Sequence, residues 1–242
     1  MSERPDYGVD APSDIRKLLV RGSICGLAGL ILASFRGQAL LSLAAAPVLG
    51  WVAIAFLVPV PVMLWSSLVG KFAIRDAVLD AARLRPSDTL LDVGCGRGLL
   101  LVEAARRLPQ GRAYGVDLWD EGDLAGNGPE AAVHNARLEG VAARVVVETG
   151  DARALPWRAA SFDAVVSSTV VHNIPDAAGR AKALSEMVRV LKPGGRLSLF
   201  DIFQPWSYRR TLEDLGLKEV ELKGPVFYWM VPGARITGRK PG

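Results

Sequence analysis

The order of apolar and polar positions divides this chain near Lys71. From Gly37 to Gly70 there are 34 consecutive residues without Asp, Glu, Lys or Arg, "GQALLSLAAAPVLGWVAIAFLVPVPVMLWSSLVG". About 20 apolar residues cross the hydrocarbon of a bilayer. The run therefore predicts a span over about 39–58, a break or kink at Pro59 and Pro61, and an interfacial turn through Trp65. An earlier uncharged run, "GSICGLAGLILASF" (22–35), is flanked by Arg21 and Arg36 and reaches spanning length once residues 18–20 are added. Those flanking side chains are long enough to snorkel to the interfaces. The two runs predict a transmembrane helical hairpin over residues 18–70, hinged near Gly37 and preceded by a short N-terminal segment, 1–17. A signal peptide fits poorly, because the apolar region starts late and no clean cleavage site follows it. A buried hairpin of a soluble protein fits poorly because the second run is so long and uncharged. Arg16, Lys17 and Arg21 precede the first span, and Lys71, Arg75, Arg83 and Arg85 follow the second. Positive flanks mark the cytoplasmic side, so both ends are expected in the cytoplasm of a multi-pass cell-membrane protein.

After Lys71 the period changes. "AIRDAVLDAARL" reads as an amphipathic helix. Then apolar strands, "TLLDVG", "GRAYGVDL", "ARVVVETGD", "FDAVVSS" and "GGRLSLFDI", alternate with helical stretches, "LLLVEAARRL", residues 129–139 and "AGRAKALSEMVRVL". Alternation of this kind predicts an α/β, doubly wound, Rossmann-like sheet of mostly parallel strands over residues 71–242. Ligands of such sheets bind beyond the carboxyl ends of the strands, so the informative residues are those just after each strand.

Composition changes this picture little. The net charge is +4 with 22% charged residues, and no run of Lys and Arg is interleaved with aromatics, so no nucleic-acid partner is expected. The mild excess suits an anionic bilayer surface. The two cysteines, Cys25 and Cys95, belong to no metal-ligand spacing, and no metal is expected.

The first strand runs into "GCGRG" (94–98) before a helix begins at Leu99. Glycines in such a turn admit positive φ and let a ligand lie against backbone N–H groups. The spacing is GxGxG, with Leu99 where a dinucleotide fingerprint needs its third glycine, and Asp92 stands two residues ahead. "LDVGCGRG" resembles motif I of the class I S-adenosylmethionine-dependent methyltransferases of the small-molecule type. The resemblance extends over Ala73–Arg239 through Asp117 in "YGVDL", Asp151 in "TGDARALPW" and the "LKPGGRL" turn. It implies a seven-stranded sheet closed by antiparallel strands from "VFYWMV" and "ARITGRK", and S-adenosyl-L-methionine as cofactor. It further implies that Asp92, Gly94, Cys95, Gly96 and Gly98 hold the methionine portion. Asp117, with Leu118 beside it, would take the ribose hydroxyls; Asp151 and Ala152 would lie near the adenine, and Ser167 would complete the cofactor set. An acid after a strand is otherwise most often a turn or helix cap.

For the methyl acceptor, the segment "SSTVVHNIPD" offers His172 as a general base, with Asn173 beside it; the plain alternative is that both cap the next turn. The long, glycine-rich insert "WDEGDLAGNGPEAAVHN" suggests a lid with Asp123 and Asn127 as polar contacts, while His134 and Asn135 fall in the following helix as packing residues. Some of Phe203, Trp206 and Tyr208 are expected at the pocket or the bilayer. The expected activity is methyl transfer to a small hydrophobic or lipid-like acceptor, whose local concentration an anchor would raise. A protein or nucleic-acid methyltransferase is the first rival, although no "NPPY"-like tetrapeptide follows the fourth strand. A non-catalytic, membrane-bound cofactor-binding protein is the second. On this reading residues 1–70 are separable from a soluble, cofactor-binding remainder.

Overall fold

The computed structural model describes residues 3–34, 40–228 and 231–242. Seven strands form one sheet: β1 (Thr89–Val93), β2 (Arg112–Asp117), β3 (Val145–Thr149), β4 (Phe162–Ser168), β5 (Leu191–Ile202), β6 (Lys218–Tyr228) and β7 (Val231–Arg239). Their order is β3-β2-β1-β4-β5-β7-β6. The first five are parallel, and β7 runs antiparallel between β5 and β6. The central strands read as continuous apolar runs because helices cover both faces. Leu90, Ala164, Val166 and Phe200 face one layer, which holds α4 (Lys71–Ala82), α5 (Leu99–Arg107) and α6 (Pro129–Leu138). Leu91, Val165, Leu197 and Leu199 face the other, which holds α7 (Ala177–Val190) and α8 (Pro205–Asp214). Strand order reverses between β1 and β4, so the crevice for a ligand opens beyond their carboxyl ends.

Ahead of the sheet stands a helical hairpin of α1 (Pro12–Ser34) and α2 (Leu40–Leu57). The hinge proposed at Gly37, with Arg36, lies outside the described residues, as do two residues of "VFYWMV". A Cβ on Gly22 would collide with Leu57, one on Gly29 would press on Ala46 and Leu49, and one on Gly26 would touch Ala53. Small residues on one face thus let the two backbones approach closely, which is how helices associate where no water drives them together. The outward faces carry Ile24, Leu27, Leu30, Trp51 and Ile54, all exposed. The apolar windows of the two long helices are only 11% and 17% buried, whereas a core helix of a soluble protein is mostly buried.

Two features add to the sequence expectation. At the prolines α2 gives way to a second helix without a loop between them. Val58 keeps a right-handed helical backbone, α3 (Pro59–Trp65) follows, and a π-helical turn over Ser66–Gly70 leads into α4. Helix therefore continues over Ala45–Ala82, 38 residues. Pro59 and Pro61 remove single N–H donors, but their φ suits a helix. The change of composition at Lys71 therefore falls inside a helix and not at a linker.

The other feature lies in residues 3–11, which form a strap across the carboxyl edge of the sheet. Asn135 Nδ2 donates to the Asp6 carbonyl and its Oδ1 accepts from the Asp6 N–H. Asp10 forms an isolated bridge to Leu124. Lys71, 6% exposed, donates from Nζ to the carbonyls of Tyr7 and Gly8 at 2.8 and 2.6 Å and lies 3.8 Å from Asp10. The Asp10 carboxylate also accepts from the Tyr228 hydroxyl at 2.6 Å. Burial lowers the pKa of the Lys71 ammonium and raises that of the Asp10 carboxyl. Residues 6–10 thus pack on the α/β domain through Lys71, Leu124 and Asn135. Lys71→Ala should destabilise the protein by about 3 kcal/mol, since bonds to a buried charge are worth about 1.5–3 kcal/mol each. Hydrogen exchange should show faster opening of residues 3–11 and 119–127 than of the central strands. Uniform protection in a folded variant would refute the strap.

Candidate active site

Beyond the carboxyl ends of β1 and β4 lies a cavity of about 1150 Å³. Its floor is the turn from β1 to α5. Gly94, Gly96 and Gly98 all have positive φ, at +74°, +51° and +88°. A side chain at Gly94 would run into the Val170 methyls, and one at Gly96 would meet Leu124 at 2.8 Å. The left-handed conformation costs any other residue about 1–2 kcal/mol before those collisions. Glycine at every second position is therefore a backbone requirement of this turn.

Asp92 faces the same cavity from the end of β1. It is 1% exposed, and neither carboxylate oxygen has a hydrogen-bond partner of ordinary geometry; the Leu101 N–H helps only weakly. Burial, and then the nearby Asp117 charge, push its pKa up to about 8. The Asn127 Oδ1 is likewise buried without a donor. Asp117 is already engaged: Oδ2 accepts from the Gly96 N–H at 2.8 Å, and Oδ1 accepts from the Trp119 N–H at 2.7 Å and from Asn127 at 3.3 Å. The cavity floor is thus rich in acceptors and poor in donors, which fits a ligand bearing an ammonium, a sulfonium and hydroxyls. By that measure the residues fit S-adenosylmethionine. Asp92 and the turn would hold its methionine end, and Asp117 and Asn127 its hydroxyls.

Eight of the ten residues expected at the cofactor line this cavity: Asp92, Gly94, Cys95, Gly96, Asp117, Leu118, Asp151 and Ala152. Gly98 and Ser167 do not. Gly98 starts α5, and the buried Ser167 hydroxyl donates to the Val93 carbonyl, tying β4 to β1; Ser168, Thr169 and Val170 line the wall in its place. Asp151 is held by Arg153, whose guanidinium and N–H draw its pKa down. Burial raises the pKa of the Cys95 thiol well above its ordinary value. The insert folds over the glycine turn as a lid: Asn127 reaches Asp117, and Asp123 accepts from Asn173 at 2.8 Å. Of the helix residues expected to pack, Asn135 is buried as the strap's anchor, whereas His134 is exposed and pairs with Glu3.

His172 sits in a 3-10 turn, Val171–Asn173, on the opposite wall. It does not act as a helix cap; that role falls to Asp176, which caps α7. The His172 Nδ1 lies 2.5 Å from Asp201 Oδ1, and its backbone N–H donates to Asp201 Oδ2 at 3.0 Å. Asp201 ends β5, is 1% exposed, and also accepts from the Ile202 N–H. A carboxylate at Nδ1 favours the tautomer that carries its proton there, which makes Nε2 the acceptor. Phe203, also on the cavity wall, has its ring 5.6 Å from the imidazole. Tyr208 is buried beneath, its pKa raised by burial and by Asp201, and Trp206 is exposed. Sequence reasoning missed Asp201, although an acid closing the apolar strand "LSLFDI" was the available signal.

Residues 91–199 match the family profile described as "Methyltransferase domain". The chain is 36% identical over 124 residues to a demethylmenaquinone methyltransferase of Symbiobacterium thermophilum, covering 51% of this chain and 46% of that protein. It is 37% identical over 129 residues to a 27-O-demethylrifamycin SV methyltransferase of Amycolatopsis mediterranei, covering 53% and 43%. The chain thus spans about half the length of the relatives it matches. Among solved structures, the geranyl diphosphate C-methyltransferase of Streptomyces coelicolor has a TM-score of 0.57 at 18% identity over 70% of this chain and 79% of its own. The [4+2]-cyclase SpnF has a TM-score of 0.57 at 21% identity over 70% and 81%.

The raised pKa of Asp92 gives a prediction. A carboxyl with a folded pKa near 8 binds a proton that the unfolded chain releases near 4, so stability falls as pH rises between those values. Asp92→Asn should match the wild type in melting temperature at pH 5 and exceed it at pH 8.5, in the absence of ligand. The same variant should bind S-adenosylmethionine about ten-fold or more weakly at pH 8.5. A pH-independent difference in melting temperature would contradict the buried, unpartnered carboxyl. In residues 91–199 the chain is thus similar to a methyltransferase domain, and its sheet shares the fold of solved methyltransferases.

Proposed function

We propose that this chain methylates a small hydrophobic or lipid-like acceptor at a membrane to which the α1–α2 hairpin holds it. The observation that carries the reading is that one cavity joins the glycine turn and Asp92 to the His172–Asp201 pair. When bound, S-adenosylmethionine would supply an electrophilic methyl on a sulfonium. The protein's part is to hold both reactants in line and exclude water. The His172 Nε2 takes a proton from the acceptor, and Asp201 positions the ring and stabilises its cationic form. The lid, drawn down by Asp117 and by the Asp123–Asn173 contact, screens the site from water. The relatives whose names specify a menaquinone precursor and a rifamycin support a small-molecule acceptor. Their names do not agree on one acceptor compound, so the class alone is proposed.

The deciding experiment incubates the full-length protein with labelled S-adenosylmethionine and a membrane lipid extract, then analyses labelled products by mass. Label in a small apolar product supports the reading; label confined to protein or nucleic acid, or no label, rejects it. His172→Ala should leave cofactor affinity unchanged and lower turnover by about 10²–10⁴-fold. Asp201→Asn should lower turnover too, because the imidazole loses the carboxylate that positions it. Full turnover by a folded His172→Ala protein would end the role of His172 as base.

The anchor is supported by the exposed apolar faces of α1 and α2 and their glycine-mediated contact. Positive charge flanks both ends of the hairpin, which favours a cytoplasmic α/β domain. Reporters fused at the two chain termini should read cytoplasm, and one inserted at Gly37 should read the outside. A cytoplasmic reading at Gly37 would reject the spanning hairpin.

A further inference from the structure

The cavity is larger than one ligand needs, since sites for small molecules run to about 300–1,000 Å³, and this one is about 1150 Å³. Its second end is not made by the sheet. Leu18 of α1, Pro59 and Met63 of α3 and Ile74 of α4 line it. Met63 belongs to a separate apolar cluster with Ala11, Ile15 and Val60, and Leu18 packs against that cluster. The cavity wall therefore continues into the root of the hairpin, where the helices emerge from the domain. Asp14 and Lys17 line the same end and form an ion pair at 2.8 Å, a polar rim one helical turn before Leu18 and Arg21.

We infer that this end is the acceptor's doorway. The acceptor is an amphiphile with a compact polar head and a long apolar tail, and it enters sideways between α1 and α3. Its head passes the polar rim and reaches the space between the glycine turn and His172. Its tail stays behind against Leu18 and Met63, and runs out along the apolar faces of the hairpin. The chemistry supports this division. The inner cavity offers Asp123, Asn173 and His172 to a polar head, whereas the root offers aliphatic side chains. Leaving the tail in the hydrocarbon spares the cost of drawing it through water. A water-soluble acceptor would instead use the lid side, near Asp120 and Gly122, and would have no need of the apolar end. The inference rests on the methyltransferase and anchor readings proposed above.

The test uses full-length protein in lipid nanodiscs and a 4-dodecylphenol carrying a diazirine on the fourth carbon of its tail. After irradiation, peptide mass mapping locates the adducts. Adducts at Leu18, Met63 or Ile74, suppressed by excess unlabelled 4-dodecylphenol, are expected. Leu18→Trp should reduce their yield about ten-fold by filling the doorway, and Leu18→Ala should not. Adducts only on outward residues such as Ile24, Leu27 and Trp51, or doorway adducts that excess competitor leaves unchanged, would overturn the inference. Calorimetric titration of the same sample with S-adenosylmethionine separates the two levels. Cofactor binding without doorway adducts defeats the doorway alone, whereas absent cofactor binding defeats the methyltransferase reading while competed adducts still establish the doorway.

Discussion

The side chain of Arg97 holds together the three parts of this molecule that close the site. It sits within the glycine turn, where β1 hands over to α5. Its Nε and Nη2 donate to the Asp6 carbonyl and carboxylate at 2.8 Å each, and its Nη1 donates to the carbonyls of Ala125 and Gly126. Its own carbonyl accepts from Asn135. A planar guanidinium with five donors in a fixed fork can bond several acceptors at once. Here it ties the strap to the lid through Asp6, Ala125 and Gly126. The turn that would cradle the cofactor is thus the same turn that fastens the strap and the lid beside it.

Against that well-satisfied roof, Asp92 stands out as a group the fold leaves unsatisfied. Burying a carboxyl without partners costs free energy, and here the cost is moderated by keeping the proton. A cationic ligand at the cavity floor changes the balance, because it supplies the countercharge that the protein withholds. Part of the binding free energy is then spent in driving that proton off, and affinity should strengthen with pH over the range in which the ligand-free protein loses stability. Asp117 differs from its neighbour because the Gly96 and Trp119 amides stabilise it from within the chain.

Local periodicity made much of the α/β domain legible. The strand ends carrying Asp92, Asp117 and Asp151 were readable because each belongs to a short apolar run followed by a turn, and all three reach the cavity. Gly98 and Ser167 lie next to the cavity lining, at the start of α5 and beside β1. The strap, by contrast, was invisible. Asp6 meets Arg97 from 91 residues away, and Asp10 meets Tyr228 from 218 residues away. Nothing in "RPDYGVD" has a helical or strand period, so a sequence reading leaves it as a tail. Asp201 was hidden likewise: its meaning depends on His172, 29 residues earlier on a neighbouring strand's loop. The prolines at 59 and 61 mark the passage from α2 to α3, where the sequence placed it, and their helical φ lets helical backbone continue through both.

That continuous helix bears on how the hairpin and the α/β domain work together. A flexible linker between anchor and domain would make the hairpin a mere tether, raising the acceptor's local concentration and doing nothing else. Here Lys71, the first charged residue after the apolar run, is buried against the strap, and the strap grips the lid through Asp10 and Leu124. Any tilt of α3 relative to the sheet must therefore strain either the Lys71 contacts or the lid. If the proposed anchor holds, coupling of this kind would set the height of the cavity above the root of the hairpin, and with it the length of head that reaches His172. On the proposed reading, acceptor selection is then geometric: the depth of the site, set by Lys71 and the strap, measures the distance from the apolar root of the hairpin to the atom that receives the methyl.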